Sequence, residues 1–99
     1  MFNIEYTVGA MHDLKKLPAF VRTKILDLID EQLSFEPSIQ TRNRKALVGI
    51  EIPWSHDEEV WELRCGEYRV YYDVVGAEKK VFVRTIRHKR PHKTTEEIL

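Results

Sequence analysis

The sequence predicts an α+β fold of order β-α-α-β-β-β, with two N-terminal helices packed on one face of a small antiparallel sheet. Two observations carry this. The stretch "PAFVRTKILDLIDEQLSFEP" repeats apolar residues at Val21, Ile25, Leu28, Ile29 and Leu33, the three-and-four spacing of one helical stripe. Residues 60–88 then hold three segments of period-two alternation joined by "GE" and "GAEK", the pattern of a meander on short turns. With 99 residues the chain suffices for one modest core, so residues 1–99 are read as a single domain.

Taken in order, "FNIEYTV" sets Phe2, Ile4 and Tyr6 against Asn3, Glu5 and Thr7, a half-buried strand. "AMHDLKKL" spaces Met11, Leu14 and Leu17 for one face of a short helix over 10–17, with Met11 and Leu14 packing beside the longer stripe. Pro18 suits the first turn of that second helix, where its missing N–H is not needed, and Pro37 ends it. Residues 37–46 read as loop. "ALVGIEIPW" is either a short strand or an extended connection, because Gly49 and Pro53 weaken a strand. "VWELRC" turns Trp61, Leu63 and Cys65 to one face and Val60, Glu62 and Arg64 to the other. "YRVYYDVV" does the same with Tyr68, Val70, Tyr72 and Val74 against Arg69, Tyr71 and Asp73, and "KVFVRTIRH" closes the sheet. The helical stripe covers the Trp61 and Val70 face, and the charged face is expected to stay open.

Composition narrows the class. Charged residues are 32% of the chain and hydrophobic ones 42%, a globular balance. No apolar run reaches the roughly 20 residues of a membrane-crossing helix. The opening "MFNIEYTVGA" lacks the basic and apolar regions of a signal peptide, and the lone Cys65 cannot form an internal disulfide. These features point to the cytoplasm. Four histidines and one cysteine at scattered positions show no metal-ligand spacing, and the acidic run 57–59 is too short for a calcium loop. No cofactor is implied.

Sixteen basic and sixteen acidic side chains cancel, but their distribution is uneven. "RTIRHKRPHK" (84–93) contains no acid, "RNRK" (42–45) adds three cations, and "HDEEVWE" (56–62) gathers the acids. Arg64 and Arg69 fall nearly opposite each other across the predicted hairpin, where like charges destabilise a pair. Glu62–Arg69 and Arg64–Asp73 ion pairs would offset this on a plain solvent face, and an anionic ligand would offset it in a functional one. A sheet face with arginines and a basic, histidine-bearing rim suits a phosphodiester backbone, since arginine binds phosphate oxygens through two parallel N–H groups and histidine moves protons near neutral pH.

The segments "LPAFVRTKILDLID", "RKALVG", "VWELRCGEYRVYYDVV" and "KVFVRTIRHKRPHKTTEEIL" together resemble the RelE/ParE toxin superfamily over essentially the whole chain. The resemblance implies the toxin of a type II toxin–antitoxin pair, neutralised by a cognate antitoxin in a hetero-oligomer. In the RelE branch the toxin cuts messenger RNA in the ribosomal A site by 2′-OH attack, without metal. In the ParE branch it inhibits DNA gyrase. Residue by residue, the Tyr-Arg pair of RelE-like nucleases falls on Tyr68-Arg69, making Arg69 the candidate contact to the scissile phosphate. The lysines of the preceding strand fall on Val60 and Glu62. YoeB-like relatives use a glutamate and a histidine, but their glutamate sits elsewhere in the chain, so Glu62 is a base by chemical analogy only. The basic residue after the last strand falls near Lys89. The C-terminal tyrosine falls on Thr95, leaving His88 or His92 to take its part. "KALVG" matches the family's basic segment at Lys45 and Leu47, with Val48 in place of a basic residue.

The expected catalytic set is therefore Arg69, Glu62, His88 and His92. Arg64, Arg87, Lys89, Arg90, Lys93, Arg42, Arg44 and Lys45 are expected to hold RNA or the ribosome. A gyrase inhibitor without nuclease activity and an inactive antitoxin-binding relative are the alternatives. Thr94 and Glu97 in the tail "TTEEIL" form a capping-box pattern, which predicts a short helix ordered against the domain or the antitoxin.

Overall fold

The computed structural model describes residues 1–56 and 59–99; of the acidic run, Asp57 and Glu58 lie outside the described residues. Its elements are β1 (Asn3–Tyr6), α1 (Val8–Lys15), α2 (Ala19–Leu33), β2 (Arg44–Ala46), β3 (Glu59–Cys65), β4 (Tyr68–Val75), β5 (Lys80–His88) and α3 (Thr95–Ile98). The five strands form one sheet in the order β1-β5-β4-β3-β2. The expected meander is present as β3, β4 and β5. The sheet is mixed rather than wholly antiparallel, because β1 pairs parallel to β5. The helices carry the chain from β1 to the far edge, and three antiparallel passes return it alongside β1 in the same direction.

Local chemistry sets the helix limits. The Thr7 side chain caps α1 by accepting from the Ala10 amide at 3.2 Å, so the helix starts before the apolar spacing suggests. Counted from that cap, Ala10 and Leu14 face inward and Met11 is 51% exposed, which corrects its expected place in the core. Pro18 occupies the cap position of α2 with φ −55, just outside the first turn. At the other end Ser34 Oγ donates to the Asp30 carbonyl at 2.6 Å.

One core lies between helices and sheet. Ala10 and Leu14 of α1 and Ile25, Ile29 and Leu33 of α2 pack on Trp61, Leu63, Val70, Tyr72, Val81, Val83 and Ile86. Each such aliphatic side chain contributes about 1.5–3 kcal/mol on burial. The Tyr72 hydroxyl, inside this layer, donates to the Pro37 carbonyl at 2.6 Å and ties the chain after α2 to the sheet.

Strand β5 departs from simple alternation, and the site depends on it. Tyr71 pairs with Thr85 but Tyr72 pairs with Val83, so Arg84 is an extra residue, a β-bulge. Without it Val81, Val83, Thr85 and Arg87 would share the core face. With it Ile86 enters the core and Arg87 faces Arg69 on the other side. Helix α1 satisfies the bulge: Asp13 accepts from the Ile86 amide at 3.1 Å and from the Thr85 hydroxyl at 2.6 Å, and Thr7 Oγ1 donates to the Arg84 carbonyl at 3.1 Å.

The second sheet face is not open as expected. Val60, Glu62, Arg69, Tyr71 and Asp73 are all buried. Over one end, Trp54 Nε1 donates to Asp73 at 3.3 Å. Over the other lies the C-terminal segment, whose Thr95 is 7% exposed. The chain reverses there through a turn at Arg90–Lys93, closed by a 3.2 Å bond from the Lys93 amide to the Arg90 carbonyl. Pro91 in second place and His92 at φ 69 in third match a type II turn. The capping box of Thr94 and Glu97 then starts α3, as its sequence predicts.

Candidate anion-binding cleft

Between β2, β3, β4 and the C-terminal segment lies a cleft of about 510 Å³. Lys45, Glu62, Arg64 and Arg69 form its floor, and Arg42, Lys89, Lys93 and Thr95 its sides. With Arg44, which also lines it, the cleft sets one carboxylate among seven cations, which makes it electropositive, and low-dielectric walls focus such a field.

The β-ladders explain the charge. Arg64 pairs with Arg69, and Arg69 with Arg87. Three arginines thus stand in a row across three adjacent strands, where like charges repel. Neither expected ion pair forms: Glu62 meets Lys45 at 3.5 Å, and Asp73 meets Arg84 Nε at 2.6 Å. Among the described residues no carboxylate lies in ion-pair contact with the row.

Arg69 is held more firmly than an open face would allow. Its Nη1 donates to the Gly66 and Tyr68 carbonyls at 2.8 and 2.9 Å. Gly66, at φ +60, takes the first place of a two-residue turn, where type II′ geometry requires a positive angle. The turn therefore fixes its own carbonyl and the arginine bound to it. Arg69 is 6% exposed. Yet among the described residues the only buried side-chain nitrogen or oxygen without a partner is Arg44 Nε. The Nε and Nη2 atoms of Arg69 thus keep contact with solvent, available to an anion.

Glu62 is buried as well. Its Oε2 accepts from the Tyr71 hydroxyl and the Thr95 hydroxyl, each at 2.7 Å. Burial, then the bond to Glu62, pushes the Tyr71 phenol far above its ordinary range, so it stays a donor at any working pH. Beside Arg69, burial pushes the Cys65 thiol up to about 12, against a smaller opposing pull from Arg69. A neutral, 8% exposed thiol is no nucleophile.

Several expected residues lie elsewhere. His88 pairs with Tyr68 on the Cys65 side of the sheet; its ring sits 5.1 Å from that of Tyr68, with Nε2 3.4 Å from Glu67. It does not line the cleft. His92 is exposed on the reversing turn and does not line it either, nor does the exposed Arg90. Arg87 extends the arginine row beyond the cleft. Arg44 is 6% exposed; Nη1 donates to the Gln32 carbonyl at 2.5 Å and Nη2 lies 3.8 Å from Glu36. That guanidinium is held at the end of α2, where unpaired carbonyls favour a cation, although the residue also lines the cleft. Pairing with Leu63 puts Arg44 on the core face, whereas Lys45 pairs with Glu62 on the cleft face. Sequence reasoning missed Tyr71 as a working residue, and gave Thr95 no positive role; the only signal was a tyrosine on the charged face of β4.

A family profile described as the ParE toxin of type II toxin–antitoxin systems matches residues 4–91. The chain belongs to this family. No curated protein matches it. Among solved structures, this toxin is similar to the archaeal RelE–RelB complex from Pyrococcus horikoshii at 22% identity and a TM-score of 0.71, covering 93% of this chain and 98% of that one. The toxin–antitoxin complex RelBE2 from Mycobacterium tuberculosis gives 24%, 0.67, 89% and 98% in the same order. A YoeB/ParE toxin from Agrobacterium tumefaciens gives 21%, 0.58, 91% and 100%. At these identities the likeness is one of fold. It agrees with the α+β architecture expected from the sequence, while membership rests on the family profile. No helix of the described residues is long and apolar enough to cross a membrane.

Proposed function

We propose that this toxin inhibits translation as a ribosome-dependent messenger-RNA endonuclease. The observation that carries the reading is the arginine row at the cleft, with Arg69 pinned by two carbonyls and its other nitrogens free. A guanidinium already held in place loses little freedom when it binds phosphate. In the proposed reaction the 2′-hydroxyl gives up its proton to water as its oxygen attacks phosphorus, the bond to the 5′-oxygen breaks, and that oxygen takes a proton from water, leaving a 2′,3′-cyclic phosphate and a 5′-hydroxyl. Arg69 faces the negative charge that builds on the phosphoryl oxygens. Arg64, Lys89 and Lys93, with Arg42 at the side, hold the flanking backbone. The partners are the ribosome, messenger RNA and a cognate antitoxin, in the cytoplasm. Phe20, Phe35 and Val48, at 71, 70 and 84% exposure, are large apolar side chains that suit a protein partner.

The test is reconstituted translation of a defined messenger, with and without ribosomes, and primer extension to map new ends. Cuts within the A-site codon that need ribosomes support the reading. Arg69→Lys keeps the charge and loses the planar fork, so cleavage should fall about 10²–10³-fold, with folding checked by circular dichroism. Arg69→Ala is the weaker probe, because it removes the charge and the side-chain stem together with the bonds that brace the β3–β4 turn.

One observation favours a second reading. No histidine lines the cleft, and both oxygens of its carboxylate are engaged. A gyrase inhibitor, the activity that the ParE resemblance implies, needs no acid–base pair. Intact messenger RNA together with loss of gyrase supercoiling would establish it.

A further inference from the structure

The carboxylate of the cleft is placed to hold a neighbour rather than to take a proton. Glu62 Oε2 already accepts two hydroxyl donors, from Tyr71 and Thr95. Oε1 faces the Lys45 ammonium at 3.5 Å. A general base must stand within reach of the hydroxyl it deprotonates, and Glu62, with its side chain 6% exposed, has Oε2 taken by two donors and Oε1 turned to Lys45. Lys45 is the opposite case. It stands directly across the β2–β3 ladder from Glu62, its side chain is 55% exposed, and it lines the cleft with Arg69. The fixed member of the pair is the carboxylate, and the member with freedom to meet a ligand is the ammonium. An ammonium has three donors; one directed at Glu62 leaves two for an anion.

We infer that Lys45 is the second cation of the scissile-phosphate site, contacting a phosphoryl oxygen beside Arg69, and that Glu62 is a positioning residue acting through Lys45 and not a base. The inference rests on the nuclease reading above and assigns roles within that site. A flexible lysine loses rotamer freedom when it engages a ligand. A buried carboxylate, itself locked by Tyr71 and Thr95, reduces that loss in advance. This gives β2, a three-residue edge strand, a function of its own: it presents one cation to the cleft.

The experiment is single-turnover cleavage in the reconstituted ribosome reaction, across a pH series, for the native protein, Lys45→Met, Lys45→Arg and Glu62→Gln. A binding measurement accompanies it, using a single-stranded RNA blocked by 2′-deoxy substitution at the cut. Lys45→Met should cut about 10²-fold more slowly, and Lys45→Arg should regain part of the loss. The RNA affinity of Lys45→Met should depend less on salt, by about 0.7 in the logarithmic slope for one phosphate contact. Glu62→Gln should lose about tenfold at most, with the acidic limb of the pH profile in place. Loss of that limb together with a drop of about 10²–10⁴-fold would make Glu62 the base and overturn the inference. So would native cleavage by Lys45→Met. RNA left intact by the native protein would overturn the nuclease reading, and an unchanged salt slope in Lys45→Met would then overturn the Lys45 contact as well.

Discussion

Tyr71→Phe removes one oxygen atom from beneath the cleft and leaves the ring in place. Tyr71 is fully buried, so the apolar contribution of the ring cancels between the two proteins. What is lost is a 2.7 Å bond to Glu62 Oε2. Hydrogen bonds to charged groups contribute about 1.5–3 kcal/mol. Thr95 still reaches the same oxygen, so the lower part of that range applies, about 1.5–2 kcal/mol. For a domain of this size each kcal/mol moves Tm by about 4–8 °C, giving a fall of roughly 6–16 °C. Urea unfolding followed by circular dichroism, at constant m, measures the free energy directly. Tyr72→Phe is the internal control, since its hydroxyl meets the neutral Pro37 carbonyl at 2.6 Å, a bond worth about 0.5–1.5 kcal/mol. In a double-mutant cycle with Glu62→Gln the coupling should reach about 1 kcal/mol. A Tyr71→Phe cost below about 0.5 kcal/mol, or a larger cost for Tyr72→Phe, would refute the view that Glu62 is locked from below.

Arg44→Ala should destabilise the fold by about 2 kcal/mol, because the charged bond to Gln32 and the packing of the arginine stem are both lost; urea unfolding measures this, and RNA affinity should stay within about twofold of native because the contribution is to α2 and not to phosphate. His92→Gly should stabilise the protein by about 1 kcal/mol, since glycine takes the positive φ of the reversing turn without strain; a melting curve checks it. Cys65 should resist alkylation at neutral pH in the folded protein and react at once in denaturant. Its thiol is pushed up to about 12 by burial from an ordinary 9.0. The sign of the linkage follows: the stability this contributes is fully present below pH 9.0 and is lost as pH rises towards 12. Tyr6, raised from 10.0 to about 12 by burial and then by Asp30, loses stability in the same direction, so thermal melts should show a falling alkaline branch.

The fold was legible where one physical rule acted alone. Strands 68–75 and 80–88 coincide with the structure because alternation and turn residues agree there. The face of Arg87 was not legible, because the Arg84 bulge resets the parity of β5 and its cause is a contact with Asp13, which lies 73 residues away from Ile86 in sequence. "RNRK" hid an opposite pair for a similar reason. Arg44 and Lys45 are neighbours of like charge, and only the pairing of β2 with β3 sends one to α2 and the other to the cleft. His88 read as part of the basic cluster, but one residue past Arg87 on a strand lies on the opposite face. The cover over Glu62 was legible only as a capping box; that Thr95 would land on a buried carboxylate is a tertiary fact.

The two faces of this sheet answer different requirements. The helix face satisfies itself, with apolar side chains from both layers filling one core. The other face buries polar groups, and most of them are matched: Asp73 by Arg84 and Trp54, Glu62 by Tyr71, Thr95 and Lys45. Against that background the arginine row stands out as the feature the fold leaves unbalanced. Cross-strand repulsion of this kind costs about 0.2–1 kcal/mol for each pair. A carboxylate in place of Arg64 would remove the cost and make a plain solvent face. The chain instead anchors the middle arginine to a hairpin turn, and among the described residues no acid forms an ion pair with any of the three. An arrangement that is unfavourable alone and rigid in advance is relieved by an anion, and three cations spaced across three strands are the physical argument for the extended phosphate backbone of the proposed function.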